Sequence, residues 1–149
     1  LLSDKFASVY FRTHTLKITQ KSTYMSARRI LVIDDEADIR EIARMSLKIT
    51  QHWDVLMAAS GAEGVAIATA EQPDAILLDV IMPGVDGLET LKSLHTNPST
   101  QHIPVLLLTA TVKAANPQHY MELGARGILL KPFDPGLLGN QIAQALGWN

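Results

Sequence analysis

Short apolar runs that end abruptly in a polar side chain constrain this chain more than any other feature. In Ala75-Ile76-Leu77-Leu78-Asp79 an apolar run meets a carboxylate, and a turn-forming stretch containing Pro83, Gly84 and Gly87 follows at once. A continuous apolar run bounded by turn signals suits a strand buried on both faces, as in a parallel sheet. The design recurs. Arg29-Ile30-Leu31-Val32-Ile33 runs into Asp34-Asp35-Glu36, residues 103–108 run into Thr109-Ala110-Thr111, and residues 126–130 run into Lys131-Pro132. Residues 53–58 read as one more strand. An Asp at such a position also caps turns and helices, so no single run decides the matter.

The segments between the strands carry helical signals. Ile39, Ile42, Ala43 and Leu47 share one face at helical spacing, and Arg40, Arg44 and Lys48 are spaced by four on another. The acidic start and basic end of this helix complement its dipole. Ser60 and Glu63 match a capping box opening a helix to about Glu71. Leu88, Leu91 and Leu94 predict a short helix stopping near Asn97-Pro98. Another is expected from Pro117 to near Leu123, with Asn116 as N-cap, Pro117 at its first position and Gly124 terminating it. Asp134-Pro135 is expected to open the last helix, whose apolar side chains are Leu137, Leu138, Ile142, Ala145 and Leu146. Strand and helix thus alternate through short connections. The expected fold is α/β: a five-stranded parallel sheet with helices on both faces.

The length of 149 residues suits one domain with a sizeable core. No cysteine is present, which excludes disulfides, thiolate metal sites and cysteine nucleophiles. No apolar run is long enough to span a bilayer. The net charge of −2 hides a split: residues 1–29 carry six Lys/Arg against Asp4 alone, whereas residues 30–149 hold seven basic and fourteen acidic side chains. Residues 1–27 therefore read as a basic leader, flexible or a non-native start, ahead of an acidic domain over 28–149. The leader lacks the dense basic clusters of a nucleic-acid patch and the apolar core of a signal peptide. Neither nucleic acid nor membrane is an expected partner, and a cytoplasmic location is expected.

In a parallel sheet all strand ends lie on one edge, so Asp34, Asp35, Asp79, Thr109 and Lys131 can converge. Clustered carboxylates repel one another unless a cation sits among them. Hard oxygen ligands of this kind suit Mg²⁺, which keeps several waters. A carboxylate is also a nucleophile toward phosphorus. That reaction needs a fixed positive charge and a hydrogen-bond donor beside the transferring oxygens, which Lys131 and Thr109 offer. The five histidines (His14, His52, His95, His102, His119) show no ligand spacing and read as surface residues, Ser60 and Glu63 read as structural caps, and Phe133 reads as a core or sheet-edge residue.

Over about residues 28–147 the chain resembles the receiver domain of two-component response regulators. The residues that carry the likeness are Ile30-Leu31-Val32-Ile33-Asp34-Asp35-Glu36, Leu77 through Gly87, Leu108-Thr109-Ala110 and Lys131-Pro132-Phe133. The resemblance implies a flavodoxin-like, doubly wound (βα)5 fold and a phosphorylation-controlled switch that signals through protein contacts. It implies Asp79 as phospho-acceptor, with a histidine kinase or histidine phosphotransfer protein as donor. Mg²⁺ would be held by Asp35, Asp79 and the backbone carbonyl of Ile81, with Asp34 acting through water. Thr109 would hydrogen-bond the phosphoryl group, Lys131 would pair with it, and a cis peptide is expected at Lys131-Pro132.

One position departs from the family pattern. Ile128 stands where receivers usually carry Tyr or Phe, which puts the usual coupling from Thr109 to the surface in doubt but leaves the phosphoryl chemistry intact. Ile81 and Thr111 stand at two positions thought to tune dephosphorylation. Neither is acidic or amide-bearing, so slow self-dephosphorylation is expected. Because the last predicted helix ends near Asn149, output is expected through a partner protein or onward phosphotransfer, unless an output domain was removed. Two other function classes fit parts of the pattern: a phosphorylation-independent binding module, and an Asp-nucleophile phosphohydrolase. The hydrolase would require an acid/base Asp where Ile81 stands.

Overall fold

In the computed structural model, residues 27–82, 85–110 and 117–148 are described. Residues 1–26 of the basic leader, Pro83, Gly84, Thr111 and the expected N-cap Asn116 lie outside them. The elements in chain order are β1 (Arg29–Ile33), α1 (Ala37–Gln51), β2 (Asp54–Ala58), α2 (Gly61–Glu71), β3 (Ala75–Asp79), β4 (Ile81–Met82), β5 (Val85–Asp86), α3 (Gly87–Thr96), β6 (Val105–Thr109), α4 (Pro117–Glu122), β7 (Ala125–Leu130) and α5 (Leu138–Leu146). Five strands form one sheet in the order β2-β1-β3-β6-β7, and every neighbouring pair is parallel. The short β4 and β5 form a separate antiparallel pair just beyond β3.

Strand alternation sends successive side chains to opposite faces, and the chain uses both. Leu31, Ile33, Ile76, Leu78, Val105 and Leu107 pack with Ala68 of α2, Leu91 and Leu94 of α3 and Tyr120 of α4. Ile30, Val32, Leu77, Leu106 and Leu108 pack with Ala43 and Leu47 of α1 and Leu138 and Ile142 of α5. The two central strands, β3 and β6, are buried at every position, which is why their sequences are unbroken apolar runs. Truncating one such Leu to Ala in a close-packed core typically costs about 2–5 kcal/mol.

Local signals place the helix ends. Ser60 Oγ accepts a hydrogen bond from the Glu63 N–H at 3.2 Å, so Ser60 caps the helix as read, while the Glu63 carboxylate reaches one residue further back, to the Ala59 N–H at 3.2 Å. Gly124 ends the α4 region with φ 107°, and a Cβ there would lie 2.5 Å from the His95 ring. His52, His95, His102 and His119 are exposed.

Two sequence expectations need correction. Ile42 is 42% exposed rather than part of the buried face of α1, which consists of Ala43, Ser46 and Leu47. Ser46 is buried because its hydroxyl donates to the Pro135 carbonyl, so a polar side chain takes the inner position. The last helix begins at Leu138 rather than at Asp134-Pro135. Asp134 instead closes a turn: its side chain accepts the Gly136 N–H at 2.8 Å and its carbonyl accepts the N–H groups of Leu137 and Leu138 at 3.0 Å. Leu137 is left 50% exposed ahead of the helix.

Candidate functional site

The chain winds from β1 to β2 on one side, then crosses to β3 on the other. The strand order therefore reverses between β1 and β3, where open α/β sheets leave a crevice at their carboxyl edge. Ile33 is in register with Leu78, so Asp34 and Asp79 leave the sheet side by side at this point. Asp79 pairs in register with Leu108, and Thr109 with Leu130. The Lys131 N–H then donates to the Thr109 carbonyl at 2.9 Å. The sheet thus brings all five strand-end residues read from the sequence to one edge.

Asp34, Asp79 and Thr109 are buried, with exposures of 0%, 3% and 1%. Asp35 is exposed at the mouth. One carboxylate oxygen from each of Asp34, Asp35 and Asp79 lies within 4.8 Å of the other two. Backbone donors fix two of the three carboxylates: Asp34 Oδ1 accepts the Glu36 N–H at 2.9 Å, and Asp79 Oδ1 accepts the Ile81 N–H at 3.0 Å. Lys131 Nζ lies 2.7 Å from Asp34 Oδ2 and 3.2 Å from Asp79 Oδ2. Asp34 Oδ2 is buried and meets the ammonium as a close ion pair, with no other partner among the described residues.

The charges do not balance. Glu36 Oε1 is a further carboxylate oxygen, 3.7 Å from Nζ, so one ammonium serves Asp34, Asp79 and Glu36, with Asp35 close by. Burial pushes the Asp79 carboxyl above its ordinary value, and the Asp34 charge adds to this. The Ile81 N–H and Lys131 oppose the shift without cancelling it. For Lys131, burial pulls downward, but close contact with Asp34 and the charges of Asp34 and Asp79 outweigh it and hold the ammonium above its ordinary value. A buried acidic group short of positive charge, with an oxygen lacking a hydrogen bond, fits a hard divalent cation.

The hairpin of β4 and β5 sets the mouth. Ile81 is 57% exposed beside Asp79, so an apolar side chain stands there. Gly87 returns the chain to Val80, its N–H donating to the Val80 carbonyl at 3.3 Å. A Cβ at Gly87 would lie 2.4 Å from Val80 Cα, so only glycine permits this approach. The peptide between Lys131 and Pro132 is cis, as the resemblance implied. Ile128 packs half-buried against the core on the α3–α4 side, and Phe133 packs against the core on the α1–α5 side.

Two contributors were not identified as site residues from the sequence. Glu36 read only as part of an acidic run. Arg40 read as one of a polar row, yet its Nη1 donates to the Asp34 carbonyl at 2.8 Å. Neither role leaves a signal in the sequence spacing, because each depends on where the side chain ends.

A model of the response regulator receiver domain matches residues 30–143. PilH of Pseudomonas aeruginosa is 35% identical over 107 residues, covering 71% of this chain and 87% of that protein. Chemotaxis protein CheY4 of Vibrio cholerae superposes with a TM-score of 0.74 at 30% identity, covering 80% of this chain and 99% of that one. With a sheet, a site and a match over most of its length all in agreement, the chain belongs to the family of response regulator receiver domains. The response regulator PleD of Caulobacter vibrioides is 40% identical over 115 residues, but the match spans only 25% of it. Other curated relatives are covered to about half, such as 49% of the probable transcriptional regulator ycf27 of Porphyridium aerugineum.

Proposed function

We propose that this receiver takes a phosphoryl group on Asp79 from a phosphohistidine of a histidine kinase or phosphotransfer protein. The observation that carries the reading is the buried set of Asp34, Asp79 and Lys131 with Asp35 at its mouth. A carboxylate oxygen of Asp79 attacks phosphorus while the phosphorus–nitrogen bond of the donor, protonated at its other ring nitrogen, breaks, leaving an acyl phosphate here and a neutral imidazole on the donor. Asp34, Asp35 and Asp79, with the Ile81 carbonyl, would hold Mg²⁺, which would supply charge neutralisation on the transferring oxygens. Lys131 provides fixed positive charge at the same oxygens, and Thr109 offers its hydroxyl to the attached group.

Output passes through protein contacts with a downstream partner, in the cytoplasm and without direct nucleic-acid binding. Among the described residues no helix is long and apolar enough to cross a membrane. The exposed, apolar Ile81 offers no acid or base for an attacking water, which supports slow self-dephosphorylation and argues against turnover as a phosphohydrolase. Ile128 favours one other reading, a binding module whose contacts ignore phosphorylation, because no aromatic ring is available there to report the state of Thr109. Residues 1–27 stand in this account as a leader outside the receiver unit over 28–149.

The test is intact mass after incubation with Mg²⁺ and acetyl phosphate. The expected result is one added phosphoryl group in the parent and none in Asp79→Asn. Equal partner affinity before and after phosphorylation would favour the constitutive module instead.

A further inference from the structure

The three carboxylates are not held alike. Asp34 and Asp79 are each fixed by a backbone N–H and by Lys131. Asp35 is exposed, and among the described residues its side chain makes no hydrogen bond or ion pair. What orients it is the peptide plane joining it to Asp34. The amino side of that unit is anchored in the sheet by the Asp34 N–H donating to the Ala58 carbonyl at 3.1 Å. Its carbonyl accepts Arg40 Nη1 at 2.8 Å. Because a peptide is planar, fixing the Asp34 oxygen also fixes the Asp35 N–H, and so limits where the Asp35 Cα–Cβ bond can point.

The geometry points to Arg40 as a positioning residue for Asp35, and through it for the divalent cation; this rests on the metal-binding reading above. Arg40 stands on α1, where its own N–H bonds the Glu36 carbonyl at 3.2 Å. The backbone bond belongs to the helix itself, whereas the guanidinium ties the helix to Asp34, just past the end of β1. Outer partners of metal ligands typically govern affinity by about 10–100-fold.

The test is a double-mutant cycle on the full chain, with Mg²⁺ affinity read by calorimetry and metal-free melting as a control on the fold. Arg40→Ala is expected to weaken Mg²⁺ binding about tenfold with the parent's melting temperature retained. In an Asp35→Ala background the same change is expected to have less than about a twofold effect. Should Arg40→Ala fail to fold, Arg40→Lys, which replaces the rigid fork by a flexible point charge, runs in the same cycle with the same expected pattern. Equal losses in both backgrounds, or no loss in either, would overturn the assignment. A parent that binds no Mg²⁺ at all would overturn the metal reading itself, and the role of Arg40 with it.

Discussion

The two edges of the sheet handle charge in opposite ways. At the amino edge, charges meet partners one to one and stay wet: Arg29 pairs Glu71 at 3.1 Å with exposures of 38% and 51%, and Lys48 pairs Asp54 at 2.8 Å with exposures of 58% and 55%. The Arg28 guanidinium lies 4.0 Å from the centre of the Trp148 ring, which meets Trp53 edge-on at 5.4 Å. At the carboxyl edge, Asp34 and Asp79 are almost wholly buried, and one ammonium faces three carboxylates. The first edge binds the ends of the fold together. The second holds an unbalanced charge in a buried place.

The contrast sets an order of expected effects. Lys131→Met should do most harm, because it leaves buried carboxylates unpaired; denaturant unfolding without divalent ions is expected to show a loss of about 3 kcal/mol. Saturating Mg²⁺ is expected to raise the parent's stability next, by about 1.4 kcal/mol for each tenfold excess over its Kd. Asp79→Asn has the opposite sign to Lys131→Met: it removes a carboxylate that the fold disfavours when ionised. In metal-free buffer at neutral pH it should raise the melting temperature. Since burial raises the Asp79 pKa, that gain is full above the folded-state value. It shrinks as pH falls through that value toward the ordinary 3.8. Melting curves across that acid range check the sign. At the amino edge, Arg29→Ala should change stability by less than about 1 kcal/mol, as exposed pairs do; a loss as large as that of Lys131→Met would break the comparison.

The site was legible because its strongest positions follow runs whose burial is forced. β3 and β6 are covered on both faces, so their sequences admit one reading, and the residues ending them fall on one edge. Where a helix offers two apolar stripes, the sequence leaves the choice open. α1 carries Ala43 and Leu47 on its buried side and Ile42, Met45 and Ile49 on its exposed side. What decides between them is tertiary: Ser46 turns inward to the Pro135 carbonyl, and Gln51 bonds Asn140 at 3.0 Å. Glu36 and Arg40 escaped notice for the same reason. Their roles depend on where a side chain ends, at Lys131 and at the Asp34 carbonyl, and sequence spacing carries no record of that.

In the function proposed above, the unbalanced edge serves chemistry at one carboxylate, Asp79. Borohydride treatment of the acetyl phosphate-treated protein, followed by peptide sequencing in a mass spectrometer, tests it most directly, since hydride reduces an acyl phosphate to the alcohol. Homoserine at position 79, absent without acetyl phosphate or Mg²⁺, is the result this account predicts. Homoserine at Asp34 or Asp35 with Asp79 intact would contradict it.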